Sequence, residues 1–226
     1  MRTLFIEAHS NQDIMPALKK NLSSLRKYTR IGLFTTVQHI DQLEKATKLL
    51  VNNQIQVQVS KSNKAVVSQG VRSAYVGQIL GCDATGARNM KVDAFLYIGS
   101  GEFHPLAIAI ESEKPVLKLN PFTKVLSQIS EQDRRRWLAK QAARLDKLKH
   151  AKKVGIILSS KPGQYKPQIA ERLQKRFKNA YVFIADLVTP SDLLNFPDID
   201  AWINTACPRL VEDSWPKPLV NADEIQ

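Results

Sequence analysis

Two cysteines occur in this chain of 226 residues: Cys82 in LGCDATGA (80–87) and Cys207 in NTACPRL (204–210). A thiolate is a soft metal ligand and a nucleophile. A buried thiol is equally a small hydrophobe, and both readings are open from composition. The settings favour chemistry. Cys82 sits in a glycine turn, and Cys207 ends an apolar run before Pro208. Both are loop positions, where functional groups concentrate. A Cys-Pro pair also occurs in iron–sulfur ligation. No CxxC, HExxH or Cys/His spacing supports zinc. A nucleophilic pair of a cysteine with His104 has no support beyond the presence of both residue types.

A second motif is YIGSGEFHP (97–105). Gly99 and Gly101 follow a strand pattern and open a helix, so backbone N–H groups there form a cradle for an anion or carboxylate. The dinucleotide fingerprint is incomplete, because His104 takes the third glycine position, and a plain strand-to-helix turn has the same appearance. A third stretch, RRRWLAKQAARLDKLKHAKK (134–153), reads as a solvated basic helix or as a contact for RNA or an acidic protein. Leu138, Ala142, Leu145 and Leu148 give it an apolar stripe for packing, and it lacks the aromatic pattern of single-stranded RNA modules.

The formal net charge is +12, which draws the chain toward polyanions. Hydrophobic content of 43% is that of a soluble globular protein. No apolar run reaches the roughly 20 residues of a membrane helix, and the first residues, MRTLFIEAHSNQD, are too short in apolar core for a signal peptide. A cytoplasmic location without membrane association is expected, where a disulfide between two lone cysteines would be unusual.

These motifs need elements to position them. Strands are expected at 3–8, 30–36, 55–60, 93–100, 114–120, 153–160, 181–186 and 200–207. Helices are expected from near Asp13 (Ile14, Leu18, Leu22 and Leu25 in helical register, Pro16 close to the start), over 40–50, 105–112 and 167–178, and from the Ser130–Asp133 cap to about 152. The strands are continuously apolar, as in parallel sheets buried on both faces. An internal repeat is visible: RIGLFTT matches KVGIILSS, and DAFLYIGS matches DAWINTAC. Gly32 and Gly155 lie 123 positions apart and Asp93 and Asp200 lie 107 apart, so the first unit carries 16 additional residues, in the segment that holds Cys82. Cys207 takes the place of Ser100. The predicted architecture is α/β, with two tandem similar domains, 1–125 and 126–226. Each is a small parallel sheet flanked by helices. Ligands of open α/β sheets bind beyond the carboxyl ends of strands, so both cysteines are expected at a crevice between the domains.

The segments QGVRSAYVGQILGCDATGAR, DAFLYIGSGEFHPLAIAI, KVGIILSSKPGQYKPQIAERL, FPDIDAWINTACPRL and KPLVNADE, taken together and in order, closely resemble the archaeal diphthamide synthesis protein family of 2-(3-amino-3-carboxypropyl)histidine synthases. The resemblance implies three similar α/β domains, each giving one cysteine to a 4Fe–4S cluster whose fourth iron is open to S-adenosylmethionine. The reduced cluster cleaves S-adenosylmethionine, and the 3-amino-3-carboxypropyl radical passes to a histidine of translation elongation factor 2. By motif match, Cys82 and Cys207 are the iron ligands. Thr35, Thr36, Gln38, Gln78, Gly99, Ser100, Gly101, Phe103, His104, Gly163 and Gln164 face S-adenosylmethionine. The chain corresponds to the family's second and third domains. The first, with its cysteine, is expected on a separate chain or a dimer partner; the alternatives are a non-catalytic partner subunit that binds elongation factor 2 or the catalytic chain, and a fragment of a longer enzyme. No direct nucleic-acid contact is implied.

Overall fold

The computed structural model describes residue 4 and residues 6–61 and 73–225. Its residues form two compact units that divide at Arg134 and Arg135. In the first, five strands, β1 (Arg30–Thr35), β2 (Gln56–Gln58), β3 (Ala94–Ile98), β4 (Val116–Asn120) and β5 (Val125–Gln128), are ordered β2-β1-β3-β4-β5. The first four are parallel, and β5 folds back antiparallel on β4. Helices α1 (Met15–Leu25), α2 (Leu43–Asn52) and α3 (Phe103–Ser112) make the connections. Helix α4 (Glu131–Lys149) spans the division between the units. The second unit has β6 (Val154–Ser159), β7 (Ala180–Ala185), β8 (Ala201–Asn204) and β9 (Leu219–Asn221), all parallel in the order β7-β6-β8-β9. Helices α5 (Pro167–Arg176) and α6 (Pro190–Leu194) complete it.

The α/β class and the parallel strands follow from the apolar runs. Every residue of β3 and of β6 is buried, with apolar clusters on both faces of each sheet. The sequence repeat has a packing cause. Gly32 pairs with Phe95, and a Cβ on Gly32 would lie 2.4 Å from the Phe95 ring. Gly155 pairs with Trp202, and its Cβ would lie 2.2 Å from that ring. Each early glycine is the slot into which the neighbouring strand's aromatic side chain lies. The paired aspartates also share a role. The Asp93 carboxylate accepts the Arg30 N–H at 2.8 Å, and that of Asp200 accepts those of Lys152 and Lys153 at 2.9 and 2.8 Å. Each aspartate thus anchors the start of the strand beside it.

Several elements differ from the sequence reading. In the segment read as a strand at 3–8, residues 3 and 5 lie outside the described residues, while Leu4 and residues 6–8 have no regular structure. Leu4 and Ile6 are each 83% exposed. A strand exists through its ladder, and none of the described residues of this run pairs with a strand of either sheet. β2 shrinks to three residues at the sheet edge, and β8 stops at Asn204 because the Asn204 side chain, not a neighbouring strand, accepts the Ala206 N–H. Short β5, β9 and α6 were not anticipated. Of the stripe on α4, Leu148 alone is buried, Leu138 and Leu145 are half-buried, and Ala142 is exposed. Helix α1 begins at Met15 with Pro16 in its first turn, where a missing N–H costs nothing.

Candidate functional site

At the carboxyl end of β1 the chain stitches the Cys82 loop to the first sheet. Thr35 is buried, donates its hydroxyl to the Ile98 carbonyl at 2.7 Å, and gives its N–H to the Gly77 carbonyl at 2.9 Å. The Ile79 N–H returns to the Thr35 carbonyl at 2.9 Å. Gln78 is buried between them, and its amide oxygen accepts the Tyr75 N–H at 3.1 Å. Gly77 requires glycine: its φ is +80°, and a Cβ would lie 2.2 Å from Leu43. Leu80 and Asp83 then exchange N–H···O bonds of 3.2 and 2.9 Å, which puts Gly81 and Cys82 at the tip of a tight turn. The Phe103 ring lies on the backbone of that tip, 1.8 Å from where a Gly81 Cβ would stand. Cys82 is half-buried.

The glycine loop leaves the end of β3, next to β1. Gly101 has φ +79°, with open space around its Cβ position, whereas Gly99 has the Tyr97 hydroxyl 2.5 Å from its own. Ser100 and Gly101 are exposed. The His104 ring stacks on Tyr97, with centroids 5.9 Å apart and planes 10° apart, and meets Phe103 edge-on at 5.7 Å. Burial pushes the Tyr97 phenol well above its ordinary range, so it stays protonated. One connected group thus contains Thr35, Gln78, the Cys82 turn, Phe103 and His104. Thr36 is buried, and its hydroxyl has no hydrogen-bond partner among the described residues. Gln38 is exposed, and its carbonyl accepts the Ser10 N–H at 2.8 Å.

In the second unit, Gly163 (φ +74°) and Gln164 form the turn after β6, where the Gln164 N–H reaches the Lys161 carbonyl at 3.0 Å. Gly163 is exposed and Gln164 half-buried. Cys207, half-buried, follows the adjacent strand β8 and precedes the 3-10 turn Pro208–Glu212. A pair of buried asparagines fixes it. The Asn204 amide donates to the Cys207 carbonyl at 2.8 Å and to Asn221 Oδ1 at 2.8 Å. Asn221 Nδ2 donates to the Pro208 carbonyl at 3.1 Å. Glu224, from the turn after β9, accepts from the Asn221 backbone and side chain. Its side chain is 8% exposed and lies 4.0 Å from Arg144 of α4. Burial raises the Glu224 carboxyl above its usual range, against the pull of Arg144.

The sequence reading missed Asn204, Asn221 and buried His39. Asparagines ending two apolar strands, in NTACPRL and KPLVNADE, were the available signal for the first two. His39 follows Thr36 and Gln38. Burial lowers its pKa, and its Nδ1 has no hydrogen-bond partner among the described residues.

Neither cysteine is in a disulfide. Two half-buried thiols at strand-end turns have the soft donor chemistry of an iron site. Their number falls short, since a cluster ordinarily takes four protein ligands, or three with one iron open. Among the described residues no group of three or more His, Cys, Asp or Glu side chains is placed to hold a metal ion. By donor type each thiol suits an iron ligand.

A family model described as diphthamide synthesis protein matches residues 1–226. The chain is 34% identical to the 2-(3-amino-3-carboxypropyl)histidine synthase of Pyrococcus horikoshii over 99% of its own length and 64% of that protein. It is 32% identical to subunit 1 of the Schizosaccharomyces pombe synthase over 94% of its length and 49% of that protein. Among solved structures it matches the crystal structure of Dph2 from Pyrococcus horikoshii with a 4Fe–4S cluster, at TM-score 0.79 and 32% identity, over 96% of this chain and 62% of that one. The chain thus spans about two thirds or less of these relatives.

Proposed function

The chain belongs to the diphthamide synthesis protein family, and from that membership we propose that it forms part of a 2-(3-amino-3-carboxypropyl)histidine synthase. The observation that carries the proposal is the match along the whole chain to a family in which a solved relative holds a 4Fe–4S cluster, in a protein whose two cysteines both sit in strand-end turns. In this reading Cys82 and Cys207 hold two irons of the cluster, and the remaining protein ligand comes from elsewhere in the assembled enzyme. A bound cluster would supply the electron for cleavage of the bond between sulfur and the γ-carbon of S-adenosylmethionine, with methylthioadenosine as the leaving group, and the 3-amino-3-carboxypropyl group would go to a histidine of elongation factor 2. The residues of this chain bind and orient. The glycine loop Gly99–Gly101 offers backbone N–H groups to the carboxylate of the methionine part. Thr35, Thr36, Gln38, Gln78, Phe103 and His104 form its first-unit surroundings, and Gly163 and Gln164 its second-unit ones. A cytoplasmic location keeps both thiols reduced.

The test is anaerobic reconstitution with iron and sulfide, in the presence of the partner chain where one exists. Iron per chain is counted, and spin-resonance spectra are recorded with and without S-adenosylmethionine. Cys82→Ala and Cys207→Ala are each expected to abolish cluster binding in the assembled enzyme. An intact, S-adenosylmethionine-responsive cluster in either variant would remove that residue from the ligand set. The second reading, a non-catalytic partner that docks elongation factor 2 or the catalytic chain, is favoured by relatives named as subunits. It predicts binding of the factor without iron or turnover.

A further inference from the structure

The charge of this protein is not spread along its chain. Residues 135–178 carry fourteen lysines and arginines and two acids, and the rest of the chain carries nineteen of each sign, so the whole net charge of +12 resides in that stretch. It folds into the part of α4 that belongs to the second unit, β6, α5 and the turns that join them. Leu145 and Leu148 of α4 and Ile169, Ala170 and Leu173 of α5 pack into one apolar cluster on one face of the second sheet. The two helices therefore turn their other sides outward on the same face. On α4, Arg136, Lys140 and Lys147 fall within an arc of about 40° at 3.6 residues per turn, and all three are exposed. On α5 and just beyond it, Arg172, Lys175 and Lys178 are exposed. Residues 186–221 have the opposite balance, six acids and two cations. Leu193, Ile199 and Val211 of that stretch pack in the cluster on the opposite face of the sheet.

A field of one sign over two helices draws a polyanion. What the face lacks decides which one. Among the described residues, none of the exposed large apolar side chains is on α4 or α5, and Trp137 and Phe177 are half-buried. A protein interface centres on aromatic and apolar anchors. A helix lying on a membrane needs an apolar side to insert, and single-stranded nucleic acid needs rings for its bases to stack on. A duplex backbone needs cations alone. We propose that this face binds the backbone of double-stranded RNA without reading its sequence. Duplex RNA is recognised by shape and backbone, and its narrow major groove brings the phosphates of the two strands near each other. Two cationic helices on one face meet both rows. B-form DNA is read by a helix inserted in its wide major groove, whereas α4 and α5 both lie against the sheet. The inference is independent of the proposed enzymatic role.

The experiment is fluorescence anisotropy of the full chain with a labelled RNA duplex of about 20 base pairs, in salt from about 0.05 to 0.2 M, with melting temperature as the control for folding. A Kd of micromolar order near physiological salt is expected. It should weaken about a thousandfold across the salt range and be indifferent to the sequence of the duplex. Lys140→Glu/Lys147→Glu on α4 and Arg172→Glu/Lys175→Glu on α5 are each expected to weaken binding about tenfold or more, with melting temperature unchanged. Lys19→Glu/Lys20→Glu, a pair exposed on α1, makes the same change in net charge and is expected to leave the Kd within about twofold. No binding of the duplex, a Kd independent of salt, or an equal loss in the α1 pair overturns the proposal. So does a DNA duplex of the same sequence that binds as tightly as the RNA, or polyglutamate that binds more tightly, which would assign the face to an acidic protein.

Discussion

Cysteine chemistry in this protein depends on side chains that are themselves unreactive. Cys207 is held through its own carbonyl and that of Pro208 by Asn204 and Asn221, whose amides are buried and bonded to each other. A buried amide pair is costly when half-satisfied: removing one partner leaves the other to bear its desolvation, about 1–3 kcal/mol. Asn221→Ala is therefore expected to destabilise the protein by about 1–3 kcal/mol in urea denaturation. It is also expected to speed alkylation of Cys207 while leaving Cys82 unchanged. Equal rates at Cys207 in variant and wild type would mean that the relay does not set the turn. Cys82 is fixed differently, by the reciprocal bonds of Leu80 and Asp83 and by the Phe103 ring against Gly81. Both turns contain positions where backbone and ring approach too closely for any residue but glycine, or where a polar side chain replaces a ladder bond.

At the scale of elements, the two sheets share one construction: an early glycine in the first strand, an aromatic side chain over it from the neighbour, and an aspartate tying the two starts together. Gly155→Ala would drive a methyl group into Trp202, a fully buried residue. Overpacking of this kind costs about 1–3 kcal/mol or more, so a fall in melting temperature of several degrees is expected. An unchanged melting temperature would show that the ring moves freely. Asp93 and Asp200 give a pH dependence. The Arg30 guanidinium and N–H hold Asp93 below the ordinary carboxylate range, and the N–H groups of Lys153 and Lys152 do the same for Asp200. A carboxylate with a lowered folded-state pKa adds stability that is complete above its unfolded pKa and is lost as pH falls through the folded value. Acid denaturation curves of Asp93→Asn and Asp200→Asn are expected to be flatter than wild type below about pH 4, and to run parallel to it above that. A variant that loses stability as steeply as wild type in acid would remove that carboxylate from the account.

Over the whole molecule, a net charge of +12 favours encounter with acidic surfaces and resists non-specific self-association. These 226 residues contain two cysteines, whereas an iron–sulfur cluster ordinarily takes three or four protein ligands.

The sequence by itself determined the α/β class, the parallel strands, the repeat and the family. Each rests on local or periodic features: continuous apolar runs, glycine and aspartate landmarks, and motifs around Cys82 and Cys207. Tertiary structure alone decided which apolar runs became strands. The segment at 3–8 is as apolar as β2 is polar, yet β2 pairs with β1 and the described residues of the former pair with nothing. A ladder needs a partner with a free edge, and composition does not record one. Tertiary structure also decided that α4 shows little of its leucine stripe to the core and that Asn204 and Asn221 meet across adjacent strands. Each of those outcomes depends on contacts between residues distant in the chain, whose side chains carry no signal of one another until the sheets have formed.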